Sequence, residues 1–320
     1  MKYSVWETAS RGGIFLAVLV SIIAGGCSKA APVDGSEMTS QPSTYGTPEM
    51  VGKIETDEIK ESSGLSASAC QDVLWTHNDA GSGAFIFGMT MQGRHLGTWK
   101  VQNAQNVDWE AIASYKDAGG KCFLLIGDIG DNDEIRSELT IYRIPEPQVM
   151  PEGANSNTKD PLQTAPAETL KFSYLDSPNN AETMLVHPKT GDIYIVTKKK
   201  KGPAAVHKLE SAFRLGSVTR TEKIAELSVP SDPPGLFTDG SMSPGGNRVI
   251  LCDVKSGYEL ASPAGGSDAD AIWKQKPVTV FLGDRKQGEG ITYAPDGRSL
   301  YASSEKKNAP IYRISRRAGE

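Results

Sequence analysis

The feature that most constrains the fold is a short apolar segment, led by an acidic residue, that recurs along the chain. It occurs as DWEAIASY at 108–115, AETMLV at 181–186, TDGSMSP at 238–244 and GEGITYAP at 288–295, with ESSGLSAS at 61–68 as an earlier variant. Aligning the repeats at Ser63, Glu110, Glu182, Asp239 and Glu289 gives spacings of 47, 72, 57 and 50 residues. Repeats of about 40 to 50 residues with β-type patterning are typical of propellers. The sequence therefore predicts an all-β chain whose repeats are the blades of a β-propeller.

Each repeat is predicted to contain four strands joined by turns. Turns rich in Gly and Asp follow the first strands, and the second strands read VLWTHND, FLLIGDI, IYIVTKK, VILCDVK and LYASSEK. The third strands are predicted in AFIFGMT, LTIYRIPE, AAVHKLE, DAIWKQ and PIYRISR. The fifth repeat ends before a fourth strand, while VGKIETDEI at 51–59 alternates apolar and polar residues ahead of the first repeat. As the outer strand of the last blade, this N-terminal segment would close the ring.

The sequence thus predicts five four-stranded blades, with six as the alternative because the second repeat spans 72 residues. The surplus in that repeat, mostly 145–168, is rich in proline, which cannot donate a ladder hydrogen bond, and is predicted to be a loop. SAFRLG at 211–216 is predicted as at most one helical turn. No amphipathic helix pattern separates the strands, which argues against a two-domain α/β architecture.

The N-terminus indicates export. Lys2 and Arg11 precede the apolar run GIFLAVLVSIIAGG, which has the length of a signal-peptide h-region and is short for a membrane span. Small residues at 24–26 come directly before Cys27, a pattern that resembles the lipobox of bacterial lipoproteins. The resemblance implies cleavage before Cys27, lipidation of its sulfur and, with Ser28 next, an outer-membrane location facing the periplasm. An ordinary secretory signal is the alternative.

The predicted organisation is a signal peptide at 1–26, a lipid-anchored flexible tether at 27–50 and a propeller at 51–320. A net charge of −5 argues against a nucleic-acid partner, and the KKKK run at 198–201 is predicted to be a solvated loop. We expect a monomer.

Cys70 and Cys122 precede the second strands of adjacent repeats and can form a disulfide in an oxidising compartment, although their preceding turns differ in length. Cys252 is predicted to be a buried thiol.

Propeller topology should bring the acidic side chains together. The first strand of each blade lines the channel and the second runs back antiparallel, so the start of strand one and the end of strand two open on the same face. The candidate metal ligands on this face are Glu110, Asp128, Asp131, Glu182, Asp239 and Glu289. Carboxylates about 7 Å apart repel by about 2 kcal/mol per pair at an effective dielectric of about 20. Such a ring must bind a cation, pair with a base such as Lys198 or take up protons. Oxygen donors favour a hard cation, and calcium is the preferred ion.

Further residues at this mouth are candidates for ligand binding or catalysis. The predicted ligand contacts are Asn78, Asp79, Asp108, Trp109, Asp253 and Glu305. The catalytic candidates are Glu110 or Glu182 as a base, Lys198 to stabilise negative charge, and His77. Loops at 129–138 and 256–270 should rise on the same face, and the second is predicted to act as a lid. The alternative for each acid is structural: it accepts hydrogen bonds from backbone N–H groups and joins neighbouring blades.

Two functions remain open from the residues alone. The chain has no GxSxG, HExxH, P-loop or CxxC motif, so serine-triad acyl transfer, zinc proteolysis and P-loop nucleotide hydrolysis lack support. One hypothesis is a binding propeller, without enzymatic activity, that holds calcium and a small-molecule or protein ligand at its mouth. The other is a metal-assisted hydrolase of a phosphoester, lactone or glycoside linkage.

Several motifs together resemble a group of secreted bacterial β-propeller proteins of uncharacterised function. They are LWTHNDAG, VDWEAIA, IGDIGDN, AETMLVHPKTGDIYIVTK, TDGSMSP and GEGITYAPDGRSLYASSE, and they cover about 61–305. The resemblance implies the propeller fold and an envelope location, but no established reaction. More distantly, the chain is similar to calcium-bearing propellers of the phytase-like and gluconolactonase-like families, which have carboxylate-rich channel mouths. That similarity is one of fold.

Overall fold

Five sheets form the blades of a β-propeller, and their strands are antiparallel apart from two added edge strands that pair in parallel. The structure, a computed structural model, describes residues 44–210, 217–265 and 268–317, so the predicted signal peptide, Cys27 and the SAFRLG segment lie outside the described residues. The innermost strands of the sheets contact one another in a closed cycle. The prediction of five blades is therefore confirmed, and the alternative of six is not. In the described part of the chain, no helix is long and apolar enough to cross a membrane.

The strands follow the repeats in order, and the first strand, β1 (Glu49–Lys53), precedes them. Blade 1 contains β2 (Ser62–Ala67), β3 (Leu74–Asn78), β4 (Phe85–Met89) and β5 (His95–Gln102). Blade 2 contains β6 (Trp109–Lys116), β7 (Cys122–Asp128) and β8 (Leu139–Pro145); β9 (Leu162–Pro166) then joins the edge of blade 1, and β10 (Glu168–Ser173) completes blade 2. Blade 3 contains β11 (Ala181–Val186), β12 (Ile193–Thr197) and β13 (Ala204–Leu209); β14 (Val218–Arg220) joins the edge of blade 2, and β15 (Glu222–Leu227) completes blade 3. Blade 4 contains β16 (Asp239–Met242), β17 (Arg248–Cys252), β18 (Ser256–Ala261) and β19 (Val278–Phe281), and blade 5 contains β20 (Gly288–Tyr293), β21 (Ser299–Ser304) and β22 (Pro310–Ser315).

The hydrophobic core lies between blades. The second strand of a blade is buried on both faces, and its residues alternate between the two neighbouring interfaces because strand side chains have a period of two. In β12, Ile193 and Ile195 pack towards blade 2, whereas Tyr194 and Val196 pack towards blade 4. Five such apolar clusters occur among the described residues, one at each blade interface. This explains why the second strands read as nearly continuous apolar runs.

The N-terminal segment closes the ring, as predicted. Strand β1 pairs antiparallel with β22, with Glu49 opposite Arg313. The pairing begins before residue 51, because Tyr45 already bridges to Arg316. The buried Tyr45 hydroxyl donates a hydrogen bond of 2.6 Å to Glu259, which also accepts from Arg316. Tyr45 and Glu49, within the stretch assigned to the tether, therefore pair with the last strand of the propeller.

Two local predictions were wrong. The DAIWKQ segment forms a 3-10 helix, Ala269–Lys274, and the third strand of blade 4 is β18, within the predicted lid. Asp270 anchors this helix to blade 3 by accepting a hydrogen bond of 2.7 Å from the Tyr194 hydroxyl. The proline-rich 145–168 segment is also not wholly a loop, since it contains a 3-10 helix (Pro151–Asn155) and β9, which pairs parallel to β5. Its Pro166 is tolerated because β9 is an edge strand.

Cys70 and Cys122 form a disulfide, with their Cα atoms 6.3 Å apart. The bond joins the first hairpin of blade 1 to the second strand of blade 2. Cys252 is a buried free thiol, as predicted.

Candidate functional site

A β-bulge at the start of the inner strand determines where the leading acid lies. In blade 2, Trp109 pairs with Asp128 and Ala111 pairs with the next residue back, Gly127, so Glu110 is an extra residue in the ladder. The same one-residue shift leaves Glu182 extra in blade 3 and Glu289 extra in blade 5. Blade 1 has its bulge between Ser62 and Leu65. Because bulges re-aim side chains, the three glutamates are released from the regular alternation of their strands.

Three carboxylates converge at this end of blades 1 and 2. Asp79 directly follows β3, Asp108 directly precedes β6, and Glu110 is the bulged residue. One oxygen from each lies within 4.8 Å of the others. Glu110 is only 3% exposed, and its Oε2 accepts a hydrogen bond of 2.9 Å from the Ser63 hydroxyl. We call Asp79, Asp108 and Glu110 the carboxylate cluster.

Gly130 covers this cluster, and sequence reasoning missed its role. A Cβ atom at Gly130 would lie 2.3 Å from Asp108 Oδ2 and 2.9 Å from Glu110 Cγ. Such approaches are far inside van der Waals contact, so only glycine lets the backbone pass here. The available signal was the glycine within IGDIGDN, at the start of the 129–138 loop.

A buried ion pair stands beside the cluster. Lys198, directly after β12, makes a close contact with Glu182 through its ammonium group. Burial opposes the charge on Lys198, but Glu182, Glu110 and Glu289 together raise its pKa. The structure thus brings the predicted Glu182, Lys198 and Glu289 into electrostatic contact with the carboxylate cluster. Glu305 joins them, since burial and then Glu61 and Asp79 raise its pKa.

Four acids of this mouth, Glu110, Glu182, Glu289 and Asp108, have pKa values above those of ordinary carboxyl groups. Burial, followed by repulsion from Glu182, Asp79 and Asp108, raises the pKa of Glu110 well above its usual value. Burial raises the pKa of Glu182 to about 7 although Lys198 opposes the shift. Burial and repulsion from Glu305 and Glu182 raise the pKa of Glu289 to about 7. Burial and Asp79 raise the pKa of Asp108 to about 6. The mouth therefore carries more potential negative charge than it can hold without a counter-charge.

Asp239 was predicted as a metal ligand, but its side chain has the alternative, structural role of accepting backbone hydrogen bonds from neighbouring blades. Strand β16 has no bulge, because Asp239 pairs with Cys252 and Gly240 with Leu251. The Asp239 side chain is completely buried, and its Oδ2 accepts hydrogen bonds from the N–H groups of Leu65 at 3.1 Å and Ile291 at 2.8 Å. It therefore joins blade 4 to blades 1 and 5. Burial raises its pKa well above the ordinary value.

Asp128 and Asp131 are also engaged in the fold. Asp128 accepts hydrogen bonds of 3.2 Å from the N–H groups of Val107 and Asp108 and forms a 2.8 Å ion pair with Arg136. Asp131 accepts from the N–H groups of Ile135 and Arg136, which closes the turn of the 129–138 loop. The carboxylate oxygens of Asp128 and Asp131 therefore organise the loop over the carboxylate cluster.

The remaining predicted residues have local partners. Asn78 accepts from the N–H groups of Lys60 and Glu61, and Asp253 accepts from the N–H groups of Lys255 and Ser256. These two side chains hold turns in place. Asp253 also accepts a 2.7 Å hydrogen bond from the Tyr258 hydroxyl.

His77 and Trp109 lie between blades 1 and 2. His77 is completely buried, its Nδ1 donates to the Asn78 carbonyl oxygen at 3.1 Å, and burial lowers its pKa to about 4. Trp109 packs edge-on against the His77 ring and donates from Nε1 to the Gln105 carbonyl oxygen at 2.8 Å. A neutral, buried imidazole and a buried indole of this kind hold the interface together.

Comparison with known proteins finds structural similarity alone. No protein-family model matches the chain, and no curated protein matches it. Similar solved structures include a chain of the nidogen/laminin complex, with 12% identity, a TM-score of 0.42, and coverage of 77% of this chain and 73% of that chain. Another is the soluble aldose sugar dehydrogenase of Escherichia coli in its apo form, with 7% identity, a TM-score of 0.45, and coverage of 85% and 99%. Similarity at these identities concerns the fold alone.

The raised pKa values of the mouth predict a pH dependence of stability. Glu182 has an ordinary pKa of 4.5 and a folded pKa of about 7, so the folded state binds its proton more tightly than the unfolded chain does. The resulting stabilisation is complete below pH 4.5 and is lost as the pH rises through 7. For Glu182 alone the loss is on the order of 3 kcal/mol, since one pKa unit corresponds to about 1.4 kcal/mol. Denaturant unfolding in chelator across this range measures it.

The substitution Glu182→Gln should flatten this pH profile, whereas Glu152→Gln, at an exposed position in the 3-10 helix of 151–155, should leave it unchanged. A wild-type protein whose unfolding free energy rose steadily from pH 4.5 to 7 would contradict the assignment.

Proposed function

We propose that the chain is an exported β-propeller that binds a calcium ion at Asp79, Asp108 and Glu110 and holds a ligand against that ion. The observation that carries this proposal is the approach of three carboxylate oxygens to within 4.8 Å of one another at the mouth of the channel. Calcium bonds to oxygen are about 2.3–2.6 Å long, so one ion can contact all three. The donor set contains only oxygen, which suits a hard cation better than a transition metal.

The energetics of the mouth favour such an ion. Glu110 is almost completely buried beside two further carboxylates, and among the described residues only the Ser63 hydroxyl donates a hydrogen bond to it. Lys198 faces Glu110 and Glu289, but Glu182 already takes its ammonium group. Arg136, which acts on Asp108, is paired with Asp128 at 2.8 Å. A divalent cation would supply the charge that the acids lack and would replace the protons they otherwise retain. Glu289 and Glu305, contributed by blade 5 next to blade 1, would then face a ligand of the ion.

The substitution Glu110→Gln tests the cation site. We expect it to lower calcium affinity at pH 7.5 by about tenfold or more, because a charged ligand is lost. In chelator the same variant should be at least as stable as the wild type, because a buried carboxylate that repels its neighbours has been removed. Isothermal titration and melting temperatures, each with and without calcium, measure the two effects.

Glu152→Gln is the matched control, since it removes one negative charge from an exposed position far along the sequence from the site. It should bind calcium as the wild type does. Wild-type protein that showed no calcium binding, and a melting temperature independent of chelator, would overturn the proposal.

A lipid anchor at Cys27 would place this propeller at the cell envelope. The support comes from the apolar run and the small residues that precede Cys27 in the sequence. We expect metabolic labelling with palmitate to mark the protein, fractionation to place it in the outer membrane, and Cys27→Ser to abolish both. Wild-type protein that took up no palmitate and was released in soluble form would favour an ordinary secretory signal, and labelling that survived Cys27→Ser would contradict Cys27 as the lipidated residue.

A metal-assisted hydrolase is the second candidate function, and the Lys198–Glu182 pair favours it. Glu182 has a pKa of about 7, which suits a general base at neutral pH. A bound calcium would polarise a substrate oxygen or a water molecule. Lys198 would stabilise negative charge that develops on the substrate.

This candidate predicts turnover of a phosphoester, lactone or glycoside in the presence of calcium. Glu182→Gln should lower kcat by about a hundredfold or more while leaving calcium affinity within a few fold, since general-base catalysis contributes about 10²–10⁴ in rate. If a broad substrate screen gave no turnover with wild-type protein that binds calcium, the binding function would stand alone.

A further inference from the structure

The channel has a second cavity at the end opposite the acids. It has a volume of about 350 Å³, and residues from all five blades line it. They come from the ends of the inner strands, such as Ser66 in β2, Ser114 in β6, Val186 in β11, Ser241 in β16 and Thr292 in β20. The acids of the mouth stand at the starts of the same strands. We call this cavity the far pocket.

The wall of the far pocket combines small hydroxyl groups with apolar surface. The apolar part includes Val186, Met242 and Pro244, and only Lys116 and Asp117 among the lining residues carry charge, one of each sign. Asp117 Oδ1 accepts a 2.8 Å hydrogen bond from the Lys121 N–H within the turn. The charged lining residues are therefore confined to one hairpin of blade 2, and the other four blades contribute only uncharged side chains.

The hydroxyl oxygens of the wall are held in place by backbone donors. Ser66 Oγ accepts from the Ser114 N–H at 2.8 Å, and Ser241 Oγ accepts from the Tyr293 N–H at 3.3 Å. A hydroxyl group has one donor hydrogen and two acceptor lone pairs, so each of these serines retains capacity for a ligand. The bonds run between neighbouring blades, which fixes the spacing of the hydroxyls around the pocket.

The rim of the far pocket is covalently braced. The Cys70–Cys122 disulfide joins blades 1 and 2 at this rim, because Cys70 follows the lining residue Ala69 and Cys122 pairs across its hairpin with the lining residue Lys116. Beneath it, the buried Glu146 carboxylate accepts from Trp75 Nε1 at 2.9 Å and Gln71 Nε2 at 3.0 Å. A wall fixed in this way loses little conformational entropy when a ligand binds.

We propose that the far pocket binds a small uncharged polyol or sugar, at a site separate from the acidic mouth. The volume lies at the lower end of the range of small-molecule sites, about 300–1,000 Å³. Ring hydroxyls of such a ligand match the serine and threonine hydroxyls, and its C–H face matches Val186 and Met242. Burial of an uncharged ligand avoids the cost of desolvating a charge without a partner.

Saturation-transfer NMR with a panel of neutral monosaccharides at millimolar concentration tests the proposal. Wild-type protein should show transfer from at least one sugar, with or without calcium. Met242→Trp, which fills the pocket, should abolish the transfer. Val278→Trp on the outer strand β19 is the matched control, since Val278 is 45% exposed and lies outside the pocket, and it should keep the transfer. Calcium titration of Met242→Trp should match the wild type, which separates this site from the proposed cation site.

Lysine acetylation provides a test that needs no substitution. Lys116 lines the far pocket, whereas the exposed Lys121 of the same hairpin does not. The sugar that gives transfer should lower the acetylation rate of Lys116 and leave that of Lys121 unchanged. Three results would each overturn the proposal. They are transfer that persists in Met242→Trp, a sugar that changes the acetylation rates of Lys116 and Lys121 equally or not at all, and binding of apolar probes with no sugar binding.

Discussion

One extra residue at the start of an inner strand is the constraint on which the acidic mouth depends. Where β6, β11 and β20 carry this bulge, their glutamates leave the ladder and gather around the channel opening. Where β16 lacks it, Asp239 remains in register and bonds to the amides of blades 1 and 5. The same leading acid thus has two roles. A regular strand makes it a cross-link between blades, and a bulged strand makes it part of a site.

Burying these acids lowers the free energy of unfolding, and the apolar contacts between blades offset that loss. The five apolar clusters at the blade interfaces bury large side chains such as Trp75, Trp273 and Phe172. Strand β1 completes blade 5 by pairing with β22, which closes the ring. The carboxylate cluster contributes nothing comparable, since its members repel one another and are desolvated. Acids with pKa values perturbed by burial and by neighbouring charges cluster at functional sites.

The sequence predicted the repeats, the blade number, the closing strand and the face on which the acids gather, because each follows from a local pattern of period two and from the spacing of turns. It did not predict which acids are bulged. A bulge is set by pairing with the second strand, as when Glu110 is left without a partner between Asp128 and Gly127. The third strand of blade 4 was also misplaced, because DAIWKQ has the residue types of a strand. In the fold, Asp268 caps a 3-10 helix there, and the Tyr194 hydroxyl donates to Asp270 within it. Both errors arise from contacts distant in sequence.

The middle of the channel keeps its two ends chemically separate. Leu65, Ile112, Met184 and Gly240 are among the residues that line a cavity of only about 30 Å³ there, which is room for about one water molecule. A Cβ atom at Gly240 would lie 2.9 Å from Thr183 Cγ2, so this constriction is already packed to contact. The narrow middle section thus lies between the acidic mouth and the far pocket. The inner strands connect the two sites directly, since their starts carry the glutamates and their ends carry the serines.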